Sequence, residues 1–307
     1  MELLEKLVEV RSAASDEGPM KEFILDYVRT EGKKWKVQPE IIEGRGFQDC
    51  IILVFGTPST AIYAHMDSIG FSTGYDKELI RIGGTRAIDG MQLVGSDSQG
   101  EILTEMMVIE EEDGHKSFQY VFGREVDRGT ILTFKPDFRE TNEYIQSPYM
   151  DNRLGVWNAL RVAESMENGA IVFSTYEEHG GNSVAFCARY LLKEHNVFQA
   201  LISDITWVTG GVKHGGGVAV SMRDAGLPRR SYLNKIIALA KESGIDFQLE
   251  VESAGGSDGG MLQKSDLPID WCFIGAPEDN VHSPDEKVFK KDIQSMVDLY
   301  IYLMKHL

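Results

Sequence analysis

The pattern of apolar and polar positions changes twice along the chain and divides it into three parts. The segments MELLEKLVEV and PMKEFILDYVRTEG carry apolar residues at helical spacing, which predicts two helices, the second ending at Gly32. The apolar runs CIILVFG and AIYAHMD then predict buried strands. From about 71 to 147, short apolar runs are broken by Gly, Asp and Arg without a helical pattern. This texture predicts a β-rich insert, with the acidic run at 110–114 as a hairpin tip.

Helix and strand patterns alternate again in the second half of the chain. The segment 151–169 predicts a helix, AIVFSTYEE and ALISDIT predict strands, and NSVAFCARYLLKEH between them predicts a helix. SYLNKIIALAKESG predicts a helix capped by Ser231 and stopped by Gly244, and the last segment, KVFKKDIQSMVDLYIYLMKHL, predicts one long helix. We therefore expect an α/β fold: a three-layer α/β/α domain with a central mixed sheet, formed by 1–70 and 148–307 and interrupted by a small β-rich insert domain at 71–147.

Carboxylate and imidazole side chains stand at the ends of these apolar runs. Each one closes or follows a strand-like segment, and the carboxyl ends of strands in an open α/β sheet meet where binding crevices form. Converging carboxylates repel one another unless cations lie between them, and a pair of divalent ions meets that need. The residues are His65, Asp67, Asp151, Glu177, Glu178, Asp204 and His282.

Taken singly, these signals are weak. Asp67 stands two residues after His65 at a strand end, where it can orient the imidazole, but a lone HxD motif is usually structural. Two adjacent carboxylates are costly to bury unless something positive receives them. One of Glu177 and Glu178 can then bind metal while the other acts as a general base. The conjunction predicts a two-metal hydrolase site, with the ions about 3.5–4 Å apart.

Composition narrows the function classes further. The 307 residues are 42% hydrophobic, and 31 Lys+Arg against 48 Asp+Glu give a formal net charge of −17. Such a field repels nucleic acid and anionic membranes, so we expect neither as a partner. The three cysteines, Cys50, Cys187 and Cys272, are widely spaced and form no CxxC pair. With no apolar run near 18 residues and no signal-peptide pattern at the first residues, we expect a cytoplasmic protein.

At this point the sequence resembles the M42 metallo-aminopeptidases. The motifs AHMDSIG, MDNRLG, TYEEHG, SDIT, AGGSDGG and VHSPDE look like the landmarks of this family of glutamyl and leucyl aminopeptidases, some of whose members are labelled endoglucanase M. The wider clan includes the M20 and M28 peptidases. In M20 enzymes the extra domain follows the glutamate pair, whereas here the long gap, 151 − 67 = 84 residues, precedes Asp151, as in M42.

The resemblance implies a role for each candidate residue. Asp151 would bridge two divalent ions, one also bound by His65 and Asp204 and the other by Glu178 and His282. Glu177 would be the general base that activates a metal-bridging water, Asp67 would hold His65, and the peptide bond after Asp151 would be cis. The ions would be zinc by default, with cobalt or manganese as substitutes. The substrate would be a peptide or small amide cleaved at its N-terminal residue, and the enzyme would be a homo-oligomer, a dimer or a larger assembly.

Other functions stay open from the sequence. An M20- or M28-like amidohydrolase or dipeptidase would use the same metal chemistry. A metal-free glycoside hydrolase would use Glu177 with another carboxylate and leave both histidines idle. A non-catalytic binding protein could keep the fold. The chain also departs from the family at Ser68, Asp279 and Asn280, where an acidic residue and an arginine with an aromatic residue are usual, so the substrate preference is open.

Overall fold

The computed structural model describes residues 1–110, 114 and 116–307. Helices and strands alternate along it, apart from one long stretch of strands. The helices are α1 (Glu2–Glu9), α2 (Gly18–Glu31), α3 (Met150–Ala163), α4 (Ser183–His195), α5 (Arg230–Ser243), α6 (Asp258–Lys264) and α7 (Lys290–His306). The strands are β1 (Glu40–Ile42), β2 (Ile51–Phe55), β3 (Thr60–His65), β4 (Gly70–Thr73), β5 (Leu79–Ile82), β6 (Gln92–Asp97), β7 (Gly100–Glu110), β8 (Lys116–Val121), β9 (Ile131–Phe134), β10 (Arg139–Glu140), β11 (Tyr144–Gln146), β12 (Gly169–Ser174), β13 (Gln199–Trp207), β14 (Val218–Ser221), β15 (Phe247–Glu250), β16 (Asp270–Asp279) and β17 (Lys287–Phe289).

Two sheets organise these strands. The large sheet runs β1-β2-β12-β3-β13-β16-β17-β11-β10, and β14 joins it by pairing with β16 on one side and β15 on the other. The small sheet runs β5-β4-β9-β6-β7-β8, all in antiparallel pairs. Within the described residues, no helix combines the length and the apolar character that crossing a membrane would need.

The central strands of the large sheet are parallel, and this brings the candidate site residues to one edge of the sheet. Strands β12, β3, β13 and β16 all run the same way, so their carboxyl ends meet at one edge. In the register, Ser174 at the end of β12 lies opposite His65, and Tyr63 of β3 lies opposite Ile202 of β13. Two residues further along each of these two strands come His65 and Asp204, which therefore face the same edge.

Helices cover both faces of the large sheet, which gives the three layers expected from the sequence. Alternate residues of each central strand point to opposite faces, and both faces are buried. On one face, Leu53 and Ile62 share a core with α1, α2, α3, α5 and α7. On the other face, Ile52 and Tyr63 pack with α4 and α6. The α/β class with a central mixed sheet is confirmed.

The separate β-rich sheet is also confirmed. All six of its strands lie between Gly70 and Phe134, and its inner face shares the core of the first helical layer. The rings of Phe71, Phe134 and Tyr149 form the junction, with neighbouring centroids 6.3 Å and 6.1 Å apart. Strands β10 and β11, which follow it in the chain, pair with β17 of the large sheet. The acidic run at 110–114 falls mostly on residues outside the described part of the chain.

Three predicted element bounds are wrong. Helix α3 ends at Ala163 rather than at Gly169, because the backbone beyond it bonds to other segments: the Glu164 carbonyl accepts from Lys36 N–H. Helix α5 begins before Ser231, because the Arg229 carbonyl already accepts the first helical hydrogen bonds. The last segment starts as strand β17, held by pairing to β11 and β16, and becomes helical only at Lys290.

Candidate metal centre

The end of β3 and the middle of β13 supply the first two side chains of the site. The His65 Nε2 atom lies 3.5 Å from Asp204 Oδ2. Both residues are buried. Asp204 does not follow its strand, as the sequence suggested, but lies inside β13, which continues to Trp207. Its neighbour in the register is Gly275 of β16, where a Cβ atom would come 2.7 Å from the Asp204 carbonyl oxygen.

Asp151 lies between the two histidines. Its Oδ1 atom is 3.2 Å from His65 Nε2, and its Oδ2 atom is 3.3 Å from His282 Nε2. The residue opens α3, and the peptide bond between Asp151 and Asn152 is cis, as the resemblance implied. The Asn152 side chain anchors this start: its Nδ2 donates to the Ser203 carbonyl at 2.9 Å.

The glutamate pair lies in a short 3-10 turn after β12. Glu178 Oε2 is 3.2 Å from His282 Nε2, whereas Glu177 Oε2 is 3.9 Å from His65 Nε2. Asp67 holds this turn, because its carboxylate accepts the backbone N–H groups of Glu177 and Glu178 at 3.2 Å and 3.0 Å. The carbonyl oxygen of Asp67 lies 3.3 Å from His65 Nδ1 and its Oδ1 atom lies 3.5 Å from it, so one buried residue positions both the imidazole and the glutamate pair.

These side chains form two ligand groups that share one residue. In each group the candidate ligand atoms lie within 4.8 Å of one another. The Oε1 atom of Glu178 is buried and has no hydrogen-bond partner among the described residues, as expected of a carboxylate that is completed by a cation. Carboxylates with imidazoles suit zinc and other divalent transition metals. The groups are His65, Asp151 and Asp204, and Asp151, Glu178 and His282.

The electrostatics of these side chains also favour a cation at the site. Burial raises the pKa of Glu177 well above its usual value, and the charges of Glu178 and Asp204 add to the effect. Burial likewise raises the pKa values of Glu178 and Asp204. For His282, burial lowers the pKa, but hydrogen bonds to Asp151 and Glu178 outweigh it and raise the pKa to about 11. Negative charge is therefore crowded at this edge of the sheet, and positive charge stabilises it.

Sequence reasoning missed a second layer of buried charge under the site. Glu286 accepts the backbone N–H groups of Asp151 and His282 at 3.2 Å and 2.9 Å, so it positions the shared aspartate and the histidine of the second group. It belongs to the VHSPDE motif, which could have marked it. Glu278 at the end of β16 and Arg153 in α3 are also buried. Arg153 belongs to the MDNRLG motif, whereas a strand-end acid carries no sequence signal of its own.

A turn from the small sheet closes one side of the site. At Gly84, an added Cβ atom would come 2.6 Å from Nδ1 of His282, and at Gly83 it would come 2.9 Å from the Glu178 carbonyl oxygen. The Gly83 N–H donates to His179 Nδ1 at 3.1 Å. The small sheet therefore contributes backbone to the wall of the site, and glycine is needed where that backbone touches the histidine.

The three departures from the family pattern lie outside the cavity of the site. Ser68 is buried and donates to the Ser12 carbonyl at 3.2 Å. Asp279 lies 2.9 Å from His214 Nε2, and Asn280 Nδ2 donates to the Asp285 carbonyl at 3.2 Å. Each of the three side chains therefore contacts another part of the fold and not the cavity.

A cavity of about 270 Å³ opens directly onto both ligand groups. On its far side it is bounded by the end of β13, the loop after β14 and the segment after β15. The residues that line it beyond the ligand groups include Glu177, Thr206, Trp207, Asp224, Glu250, Glu252, Gly255 and Phe273.

The parallel strand edge, the paired ligand groups and the adjoining cavity define a metal-dependent hydrolase. A sequence profile of the family described as M42 glutamyl aminopeptidase matches residues 93–299, and the chain belongs to this family. It is therefore a metal-dependent aminopeptidase, a hydrolase of peptide bonds.

Individual relatives agree with this assignment. A protein of Acetivibrio thermocellus, provisionally assigned as an aminopeptidase, is 27% identical over 269 residues, covering 78% of this chain and 80% of its own. The fold is similar to that of aminopeptidase APDkam598 from Desulfurococcus kamchatkensis, with a TM-score of 0.84, 19% identity and coverage of 100% and 94% of the two chains. It is also similar to the TET1 peptidase of Pyrococcus horikoshii, with a TM-score of 0.78, 20% identity and coverage of 98% of each chain.

Proposed function

We propose that this enzyme removes N-terminal residues from peptides or small amides with two divalent ions, zinc by preference and cobalt or manganese as substitutes. The two ligand groups that share Asp151 are the observation that carries the proposal. His65 and Asp204 complete one group, and Glu178 and His282 complete the other. An aspartate with one oxygen toward each histidine is the arrangement that a bridging ligand requires.

The residues around the ions take distinct roles in this proposal. When bound, such ions act as Lewis acids that lower the pKa of a water and polarise the scissile carbonyl. Glu177, which lines the cavity without belonging to either ligand group, accepts the proton of the attacking water at its carboxylate and returns it to the leaving amine. Asp67 keeps Glu177 in place through the backbone N–H bond and keeps the His65 ring oriented. The free α-amine of the substrate meets the carboxylates of the cavity, which restricts cleavage to the first residue.

Metal removal and return test this function. We expect the purified enzyme to lose aminopeptidase activity on aminoacyl chromogenic substrates after chelation and to regain it with Zn²⁺, Co²⁺ or Mn²⁺, because the buried carboxylates need the cations. Metal analysis should give two ions per chain at full activity. N-acetylated versions of the same substrates are the control and should resist cleavage, since they lack the free amine.

The alternatives give different outcomes in the same assay. Cleavage of the acetylated substrates would favour a broader amidohydrolase of the M20 or M28 type. Full activity after chelation, or hydrolysis of a β-glucan without metal, would contradict the metallo-aminopeptidase and favour the glycoside hydrolase. One ion per chain at full activity would contradict the shared role of Asp151.

We further propose that 71–147 is a distinct insert domain within a catalytic domain formed by 1–70 and 148–307, and that it mediates assembly. The TET1 peptidase can assemble into a tetrahedron or a large octahedral shell. In this chain the outer face of the small sheet exposes Leu103 and Val121, an apolar surface suited to a second copy. Light scattering on the full chain tests this, and a monomer at micromolar concentration would contradict it.

The three free, buried cysteines support the cytoplasmic location that we also propose.

A further inference from the structure

The far wall of the cavity is acidic. Asp224, in the loop after β14, Glu250, at the end of β15, and Glu252 all line it. We propose that this wall is the specificity pocket for the side chain of the N-terminal residue, and that it selects lysine and arginine. The inference rests on the proposed aminopeptidase function and adds a substrate class to it.

Two of these carboxylates are buried without a cation. Asp224 is 8% exposed and Glu250 is 2% exposed. Across the residues that the structure describes, no lysine, arginine or histidine nitrogen lies within 4.0 Å of either carboxylate or of that of Glu252. A buried carboxylate is costly unless a positive group or several donors receive it. A cationic ligand would meet that need.

The hydrogen bonds that these carboxylates do make come from neutral groups. Asp224 accepts from the Gly226 N–H and from the Ser257 hydroxyl, the latter at 3.3 Å. Glu250 Oε1 accepts from the Thr206 hydroxyl. These bonds fix the carboxylates in the wall and leave their charge uncompensated. Burial raises the pKa of Glu250 accordingly.

Apolar surface leads from the ligand groups to this acidic wall. The indole of Trp207 is 40% exposed and lines the cavity with the buried ring of Phe273. A Cβ atom at Gly255 would lie 3.5 Å from the Trp207 ring, so this part of the cavity wall lies close to the indole. The stems of lysine and arginine are apolar and pack along such surface, while their cationic heads are attracted to indole faces and carboxylates.

The spacing also fits a long side chain. Asp204 of the ligand group and Thr206, the donor to Glu250, stand two residues apart on β13 and face the same way. Two residues of strand rise about 6.6 Å, which is comparable to the reach of a four-carbon stem. A residue whose α-amine and carbonyl lie at the ligand groups can therefore place a lysine or arginine head at Glu250.

The same wall disfavours acidic residues. No lysine or arginine is among the described residues that line the cavity, so nothing there balances a substrate carboxylate. A glutamate side chain would meet three like charges in a partly desolvated space. We therefore expect this member of a family described by glutamyl cleavage to prefer the opposite charge.

Paired substrates test the proposal in the metal-loaded enzyme. The ratio of kcat/KM for lysyl to norleucyl p-nitroanilide isolates the charge, because norleucine keeps the stem and lacks the amine. Charge-assisted hydrogen bonds predict a ratio of tenfold to a hundredfold, on the order of magnitude that such bonds contribute. Glutamyl p-nitroanilide should be the poorest substrate. In Glu250→Gln and in Asp224→Asn the ratio should fall toward one, while Asp26→Asn, an equal charge change on exposed α2, should keep it.

The experiments distinguish an error in the proposed pocket from an error in the proposed aminopeptidase function. Cleavage of norleucyl substrate with no lysine preference would overturn the pocket and leave the aminopeptidase intact. A third divalent ion per chain that is lost in Glu250→Gln would also overturn it, because the wall would then bind metal.

A binding measurement needs no turnover. Calorimetry with lysinamide against norleucinamide should show tenfold or greater preference for lysinamide, reduced in Glu250→Gln. If no substrate is cleaved but this preference persists, the proposed function fails and the cation pocket stands. Equal binding of the two amides would refute the pocket.

Discussion

Glu177 and Glu178 are neighbours in sequence, and we propose different tasks for them in the site. Glu178 belongs to a ligand group through its contact with His282 at 3.2 Å, whereas Glu177 lines the cavity outside both groups. Their backbone N–H groups are bound to the same carboxylate, that of Asp67, so their positions are fixed together. The pair therefore allows the roles of base and ligand to be separated by matched substitutions.

We predict that Glu177→Gln keeps both metal ions and loses turnover. The amide has nearly the shape of the carboxylate but cannot accept a proton, so kcat should fall by about 10²- to 10⁴-fold, the usual contribution of a general base. Metal content by mass spectrometry and kcat with an aminoacyl chromogenic substrate give the two readouts.

Glu178→Gln is the control, one residue away with the same change. It should lose affinity for one of the two ions, because it removes a ligand rather than a base. Near-normal turnover of a fully metallated Glu177→Gln enzyme would contradict the assignment.

At the scale of single residues, the sequence predicts which residue types serve as candidate ligands, but it does not predict the charged residues that are buried beneath them. His65 and Asp204 are predicted as ligands because they follow apolar, strand-like runs, although Asp204 lies inside β13 and not at its end. Glu278 is not predicted, although it is buried beside the site with neither carboxylate oxygen bonded among the described residues. Its burial results from the packing of β16 against distant segments, and no local pattern records that.

At the scale of elements, the insert is part of the active-site wall. The turn after β5 brings Gly84 against His282, with an added Cβ only 2.6 Å from Nδ1 of the ring. The backbone there also binds, because Arg86 N–H donates to the His282 carbonyl at 2.9 Å. Small-sheet backbone thus positions His282, a candidate ligand at the edge of the large sheet.

We predict that Gly84→Ala weakens metal binding without unfolding the protein. The new methyl group displaces the His282 ring, and disturbing the surroundings of a ligand typically costs 10- to 100-fold in affinity. A competition titration with a fluorescent zinc chelator measures this. Gly123→Ala in the same insert is the matched control, since its Cβ would meet nothing within 4 Å. Equal affinity in the two variants would show that the turn is not part of the metal site.

Element positions were predictable where the pattern is local. Helices α1, α2 and α4 and the buried strands follow their apolar spacing, and Gly244 ends α5 as expected. The predicted elements are wrong where pairing with strands distant in sequence determines the structure. Lys287–Phe289 continues a helical pattern in sequence, yet it forms a strand because β11 and β16 offer ladder partners on both sides. The pairing of the insert turn with His282 likewise depends on tertiary contacts alone.

Across the whole molecule, buried acids make the metal-free protein sensitive to pH. Glu17, which precedes α2, is buried, and its Oε1 accepts the N–H groups of Ser15 and Tyr176 at 3.1 Å and 3.2 Å. Burial, and next the charge of Asp67, raises its pKa from 4.5 to about 7. A carboxyl whose pKa is raised on folding binds its proton more tightly in the native state. Its contribution is fully present below pH 4.5 and is lost as the pH rises through about 7.

We therefore predict that Glu17→Gln flattens the pH dependence of stability in the chelated protein. Between pH 5 and pH 8 the wild type should lose up to about 1.4 kcal/mol per pH unit from this one group while only the unfolded state is ionised. Glutamine keeps an acceptor for the two N–H groups and carries no charge. The variant should match the wild type near pH 5 and exceed its Tm at pH 8, measured by thermal unfolding with chelator present throughout.

The direction of the difference separates this cause from simple loss of a contact. If Glu17 stabilised the fold as a charged acceptor, the variant would be less stable at pH 8 than at pH 5 relative to the wild type, which is the opposite sign. Glu22→Gln, an exposed glutamate on the same helix, controls for the change in net charge and should leave the curve unchanged. Groups that do not interact with Glu17 titrate in both proteins and cancel in the comparison. The remaining slope difference reports the buried Glu17 carboxyl and its coupling to Asp67, at the point where α2 meets the turn that carries Glu177 and Glu178.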